Sequence, residues 1–161
     1  MATLNQIVLV EPEIPYNTGN IARTCVITGC ELHLVKPLGF EISDKYLKRA
    51  GLDYWQDVDL QIWENLACFQ EYMEVEAAAG RQIIYATTKG KQHIGHLRVN
   101  GPTMTLFGKE TAGLPETLLH AHPERCWRIP MSGSYRSLNL SNSEAIILYE
   151  ILRQQGYPGL H

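Results

Sequence analysis

Apolar and polar positions along the chain alternate between short β-rich runs and longer stretches of helical spacing. Ile7-Val8-Leu9-Val10 is an apolar run closed by Glu11-Pro12, the pattern of a strand buried on both faces. Over 17–28, Ile21, Cys25 and Thr28 recur at helical spacing, with Asn17 as the expected cap and Gly29 just past the end. Residues 32–35 predict a second strand, stopped by Pro37. Ser43-Asp44 predicts the cap of a short basic helix reaching Ala50, with Gly51 as its stop. A third strand is expected over 58–63. The clearest helix covers 64–79, with Leu66, Phe69 and Met73 on one face and Gly80 at its end. Strands follow over 83–86 and 104–107, then a short helix over 115–120 and a last strand over 126–129.

The final helix opens with Ser141-Asn142-Ser143-Glu144, which matches an S-x-x-E capping box. It continues Ala145-Ile146-Ile147-Leu148-Tyr149-Glu150-Ile151-Leu152, apolar nearly all round. A terminal helix of a small domain has one face against its own sheet, so the surplus points to a subunit interface. Strands alternating with helices imply an α/β fold, a parallel β-sheet flanked by helices. The chain shows no internal repeat, low-complexity tract or long linker, so 1–161 reads as a single domain.

Composition narrows the class. With 45% hydrophobic and 19% charged residues the chain is an ordinary globular protein. No apolar run approaches the roughly 18 residues of a membrane span. The start, Met1-Ala2-Thr3-Leu4, lacks a basic n-region and a cleavable apolar segment, which makes a cytoplasmic location the expectation. Cys25, Cys30, Cys68 and Cys126 form no C-x-x-C pair, so reduced, mostly buried thiols are expected. The net charge of −3 argues against a generic nucleic-acid coat protein, but not against an RNA enzyme with its cations on one face. Lys45, Lys48 and Arg49 form one such group, Lys89 and Lys91 another, Arg125 and Arg128 a third. Taken alone, they read as solvated surface charge.

Three polar, glycine-punctuated segments each follow an apolar run: Asn17-Thr18-Gly19-Asn20-Ile21-Ala22-Arg23, Gly108-Lys109-Glu110-Thr111-Ala112-Gly113, and Arg136-Ser137-Leu138-Asn139-Leu140-Ser141-Asn142. Loops beyond strand ends are where α/β proteins bind ligands. Asn17 and Asn20 alone suit a turn and a cap. Arg23, one turn into the helix, adds a guanidinium that can fork a phosphate, although a surface ion pair is the simpler role. Glu110 lies between Gly108 and Gly113, which allow a close backbone approach. The stretch 132–141 carries more hydrogen-bonding groups than a buried connection could satisfy. No G-x-G-x-x-G follows the first strand, Gly108-Lys109-Glu110 lacks the phosphate-loop spacing, and Arg136 stands where a nucleophile elbow needs glycine. No histidine has a Cys or acidic neighbour at metal-ligand spacing, so no metal is expected.

In this order, the three segments closely resemble the SPOUT family of RNA methyltransferases, over essentially the entire chain. The nearest likeness is to the minimal branch acting on the ribose of the tRNA wobble nucleotide, the TrmL or YibK type. Glu11-Pro12-Glu13-Ile14-Pro15, Gly51-Leu52-Asp53-Tyr54 and Thr87-Thr88-Lys89-Gly90 add to the match. The resemblance implies an S-adenosyl-L-methionine-dependent 2′-O-methyltransferase with a C-terminal deep trefoil knot, against the general rarity of knots. It implies catalytic roles for Arg23, Glu110 and Asn139, and a cofactor pocket lined by Ala86, Thr87, Gly108, Ile129 and Ser137. Asn17, Asn20, Arg136 and Tyr149 are expected to contact the substrate, an anticodon stem-loop of leucine-type tRNA. Glu110 is expected to orient Arg23 or a loop amide. A homodimer through the C-terminal helix is implied too. A chain of this length, with no added RNA-binding extension, is expected to take a locally accessible nucleotide. Lys109 and Ala112 depart from related sequences, and the loop carries Ser132-Gly133-Ser134-Tyr135. Two alternatives are a different tRNA or ribosomal RNA ribose as target, and a non-catalytic RNA-binding module.

Overall fold

The computed structural model describes residues 3–161, with side-chain surroundings for all of these except 51–53. The Met1-Ala2 start and the side chains of Gly51, Leu52 and Asp53 lie outside the described residues. Seven strands form one sheet: β1 (Asn5–Val10), β2 (Glu31–Val35), β3 (Asp59–Trp63), β4 (Gln82–Ala86), β5 (Gln92–His93), β6 (Thr103–Phe107) and β7 (Cys126–Arg128). The helices are α1 (Pro15–Thr28), α2 (Lys45–Gly51), α3 (Leu66–Ala78), α4 (Glu116–Ala121) and α5 (Leu140–Gln155). Every described strand pair is parallel, in the order β3-β2-β1-β6-β4-β7-β5.

This order places the functional edge. From β1 the chain steps outward through β2 to β3. It then crosses to β4 on the other side, and β6 inserts between β1 and β4. Succession therefore reverses around β1, β6 and β4, and such a switch point leaves a crevice beyond the carboxyl ends of the strands. The central strands are apolar because both sheet faces are covered. On one face Ile7, Leu9, Leu32, Leu34 and Ile84 pack with Ile21, Cys25, Ile147 and Ile151. On the other, Val8, Val10, Tyr85 and Leu106 pack with Phe69, Met73 and Leu118.

Polar groups pin the opposite edge. The buried Arg81 guanidinium donates to the carbonyls of Leu4 (3.0 Å), Thr103 (2.9 Å) and Thr3 (3.0 Å). Asn5 exchanges hydrogen bonds with Gln155 at 2.8 and 2.9 Å, tying the end of α5 to β1. A buried Arg at a strand edge is tolerated because each bond is charge-assisted.

Two expected caps are different. Helix α1 begins at Pro15, with Ile14 at the cap position and no side-chain cap from its own sequence. Asn17 is instead buried in the first turn and serves a tertiary contact. Helix α5 is capped by Asn139, whose Oδ1 accepts from the amides of Ser141 (2.9 Å) and Asn142 (3.2 Å). The expected box from Ser141 to Glu144 does not form, because Glu144 points into the core and is fully buried. Strand β5, two residues long, has no apolar run to announce it. Cys25, Cys30 and Cys126 are buried free thiols and Cys68 is an exposed one. The α5 surface is split: Ile147, Leu148, Ile151 and Leu152 are buried, whereas Ile146 and Tyr149 are 41% and 43% exposed.

Candidate functional site

Four loops leave the carboxyl ends of β1, β4, β6 and β7 and enclose a cavity of about 700 Å³. The loop after β6 folds tightly on itself. The Gly113 amide donates to the Lys109 carbonyl at 2.9 Å, and Gly113 adopts φ 73°. A side chain on Gly108 would lie 2.2 Å from the Gly113 carbonyl carbon and the Leu114 nitrogen. Gly108 is therefore demanded by the loop itself.

Glu110 projects from this loop onto the start of α1. Its carboxylate accepts from the Glu13 amide (2.8 Å), the Ile14 amide (2.9 Å) and Asn17 Nδ2 (3.2 Å). A carboxylate here satisfies donors that a helix start leaves free and opposes the positive end of the helix dipole. Glu110 thus supplies the cap that α1 lacks in its own sequence. Glu13 returns the contact, its Oε1 accepting from the Thr111 amide (3.0 Å) and hydroxyl (2.8 Å). That amide, with the hydroxyl, holds the Glu13 carboxyl below the usual carboxylate range.

Asn17 passes the chain of contacts on. Its Oδ1 accepts from Asn139 Nδ2 at 3.1 Å, and Asn139 Oδ1 also accepts from the Ser141 hydroxyl at 2.6 Å. Glu110, Asn17 and Asn139 therefore form one hydrogen-bonded rail joining the β6 loop, α1 and the start of α5. Across the cavity, the Thr87 amide donates to the Trp127 carbonyl at 3.0 Å, fixing the β4 loop beside β7.

All five residues expected around a cofactor, Ala86, Thr87, Gly108, Ile129 and Ser137, line this cavity. So do Glu110, Asn139, Asn17 and Arg136. Arg23, Asn20 and Tyr149 do not. Arg23 is half-buried on α1, and its guanidinium makes no hydrogen bond or ion pair with the described residues. Of the two partners foreseen for Glu110, Arg23 or a loop amide, backbone amides are the ones engaged. Three cations border the cavity. Lys89 pairs with Glu116 and Lys109 with Glu11 at 3.3 Å, leaving Arg136 without a carboxylate among the described residues. The Glu13–Thr111 latch and the Trp127 wall were not foreseen. An acidic residue beside Pro12 was the available signal for the first; the second had none.

The lining joins apolar walls (Leu114, Trp127, Ile129, Leu138) with backbone and amide groups. This volume and chemistry suit a cofactor with an apolar body and a few polar anchors. Among the described residues, no group of three His, Cys, Asp or Glu is placed to hold a metal, and no helix is long and apolar enough to cross a membrane.

Comparison with known proteins agrees with this architecture. The model of the SpoU rRNA Methylase family matches residues 5–149. A tRNA (cytidine(34)-2′-O)-methyltransferase of Methylovorus glucosotrophus is 49% identical over 155 residues, 95% of this chain and 97% of that one. A solved structure giving insights into the 2-OH methylation of C/U34 on tRNA superposes with a TM-score of 0.86 at 41% identity, covering 96% of this chain and 97% of the other. An AdoMet-bound rRNA methyltransferase from Sinorhizobium meliloti superposes with a TM-score of 0.80 at 26% identity, over 92% of this chain and 56% of that one. A match across nearly the whole chain, with the cavity at the sheet's switch point, places this protein in the SpoU methylase family.

Proposed function

We propose that this protein transfers a methyl group from S-adenosyl-L-methionine to the ribose 2′-OH of the tRNA wobble nucleotide, cytidine or uridine 34. The observation that carries the reading is one hydrogen-bonded rail joining the β6 loop, α1 and the start of α5 along the cavity, in a chain 49% identical to a wobble-nucleotide enzyme over nearly its full length. An rRNA ribose is the alternative target, favoured by the family description, but the rRNA relative named above is only 26% identical.

The cofactor supplies the electrophilic methyl group, and the protein must hold and align the acceptor oxygen. Ala86, Thr87, Gly108, Ile129 and Ser137 would hold the cofactor. Asn139, oriented by Asn17 and its own cap bonds, would offer its remaining Nδ2 hydrogen to ribose or cofactor. Arg136 and Arg23 would engage RNA phosphate, with Asn20 and Tyr149 beside the nucleotide. A guanidinium keeps its proton in proteins, so Arg23 acts as a clamp and a stabiliser of developing negative charge, and not as a base.

The exposed Ile146 and Tyr149 on α5 support a homodimer built through this helix, which would also bring the outward faces carrying Arg23 and Asn20 into an assembled site. The deep trefoil knot is part of the same proposal, as is a cytoplasmic location with leucine-type tRNA as substrate. The test is transfer of labelled methyl from S-adenosyl-L-methionine into total tRNA and, in a parallel reaction, into ribosomal RNA, followed by nucleoside mapping. Label confined to 2′-O-methylated pyrimidine 34 supports the reading. Label in a base, in the D-loop or only in ribosomal RNA refutes it.

A further inference from the structure

Six of the fourteen arginines and lysines of this protein pair with a carboxylate among the described residues. Lys36, Arg81, Lys89, Lys109, Arg125 and Arg153 each have a carboxylate within 4 Å, at Glu64, Glu76, Glu116, Glu11, Glu74 and Glu150. Helix α2 carries the densest group of the others. Lys45, Lys48 and Arg49 occupy three of five consecutive positions, all exposed, and none has an ion-pair partner among the described residues. Three uncompensated cations on two turns stand out in a chain of net charge −3.

The packing of α2 fixes the direction in which they point. Leu47 is fully buried and Ala50 nearly so, locking one side of this short helix inward. Lys45, Lys48 and Arg49 are thereby held on the outer side. Tyr46 stands among them, 49% exposed, with Lys45 Nζ 5.2 Å from its ring centroid. Cations interleaved with an exposed aromatic ring are what a phosphate backbone with unstacked bases requires.

The strip also connects to the cavity. The segment leading to α2 leans on the β1 loop, where the Gly39 amide donates to the Pro12 carbonyl at 2.9 Å. A side chain on Gly39 would come within 2.6 Å of the Glu13 carbonyl oxygen. Glu13 in turn latches Thr111 at the cavity rim. The segment that leads into α2 therefore touches the same loop that latches the cavity rim.

We propose that Lys45, Lys48 and Arg49, with Tyr46, form a second RNA-binding track that grips backbone phosphates away from the reacting nucleotide. The proposal rests on the RNA methyltransferase reading and adds a substrate surface to it. Its partner is the polyphosphate backbone of RNA, which would draw about one counterion release from each cation.

The experiment is binding of anticodon stem-loop and whole tRNA as a function of salt, for the wild type and for the triple variant Lys45→Gln, Lys48→Gln, Arg49→Gln. The slope of log affinity against log salt should fall by about 2 to 3, with roughly tenfold or greater weakening at moderate salt. Binding of S-adenosylhomocysteine should be unchanged, which also reports that the variant is folded. The charge-keeping variant Lys45→Arg, Lys48→Arg should retain the wild-type slope. An unchanged slope in the triple variant overturns the track, as does weaker binding with the slope intact. So does preferential binding of anionic phosphatidylserine vesicles in place of RNA. Wild-type protein that binds the cofactor product but no RNA overturns the methyltransferase reading along with the track.

Discussion

The side-chain amides of Asn17 and Asn139 meet at 3.1 Å across 122 positions of sequence, Asn139 Nδ2 donating to Asn17 Oδ1. Each is already committed. Asn17 donates to Glu110, and Asn139 caps α5. The pair therefore sets how the first helix, the last helix and the β6 loop sit around one cavity, and a change at either amide reaches all three.

Asn139→Ala removes a helix cap and the bond to Asn17 together. A cap is worth about 1 kcal/mol and a neutral hydrogen bond about the same, so a loss of about 2 kcal/mol in denaturant unfolding is expected. Asn139→Asp should recover the cap, because a carboxylate still accepts from the α5 amides, but cannot donate to Asn17. If the contact to Asn17 matters for the site, calorimetry should find cofactor binding weakened in both variants while the aspartate variant keeps most of its stability.

Gly108→Val should be severe. The added Cβ collides with backbone at Gly113 and Leu114, which cannot move aside as a flexible side chain can. Loss of cofactor binding is expected, with a lower melting temperature from the strained loop. Normal binding would mean that the loop refolds without harm.

Glu144 gives the protein a pH dependence. Its carboxyl is fully buried on α5, and burial raises its pKa to about 8, with the Thr24 side chain acting in the opposite direction. The thiols facing it, Cys25 and Cys30, are themselves pushed up, chiefly by burial. In the unfolded chain this carboxyl titrates near 4.5, so between about pH 4.5 and 8 the folded state holds one proton more. Stability therefore falls as pH rises through that window and levels off above it. The full penalty is on the order of 5 kcal/mol. Glu144→Gln, which stays neutral, should lose this dependence and be the more stable protein at pH 9. Parallel stability profiles for the two proteins would mean that Glu144 is not titrating in this range.

Arg23→Ala should abolish most turnover and leave cofactor binding near normal, since Arg23 lies outside the cavity lined by the β4, β6 and β7 loops. Arg23→Lys should also be poor, because an ammonium cannot form the two-pronged contact of a guanidinium. Near-normal kcat in the lysine variant would argue against the clamp.

The sheet was legible in sequence because parallel strands covered on both faces are mostly apolar, throughout in 7–10 and broken only by Thr105 in 104–107. The polar segments that line the cavity were legible for the complementary reason, since they follow those runs. What escaped was decided by distant partners. Asn17 looks like a cap until Glu110, 93 residues later, takes that role. Ser141 and Glu144 spell a capping box, but the energy of seating α5 against α1 turns Glu144 inward and leaves capping to Asn139. Arg23 illustrates a third case, because helical spacing gave its position on α1 and could not say which side of the cavity wall it would take.

The proposed methyl acceptor is a single oxygen atom. It is tested most directly by two leucine tRNA substrates that differ only at nucleotide 34, one carrying ribose and the other 2′-deoxyribose. With labelled S-adenosyl-L-methionine, the account predicts incorporation approaching one methyl group per molecule in the first and none in the second. Equal labelling of both would contradict it, because the methyl group would then be going to an atom other than the wobble 2′-oxygen.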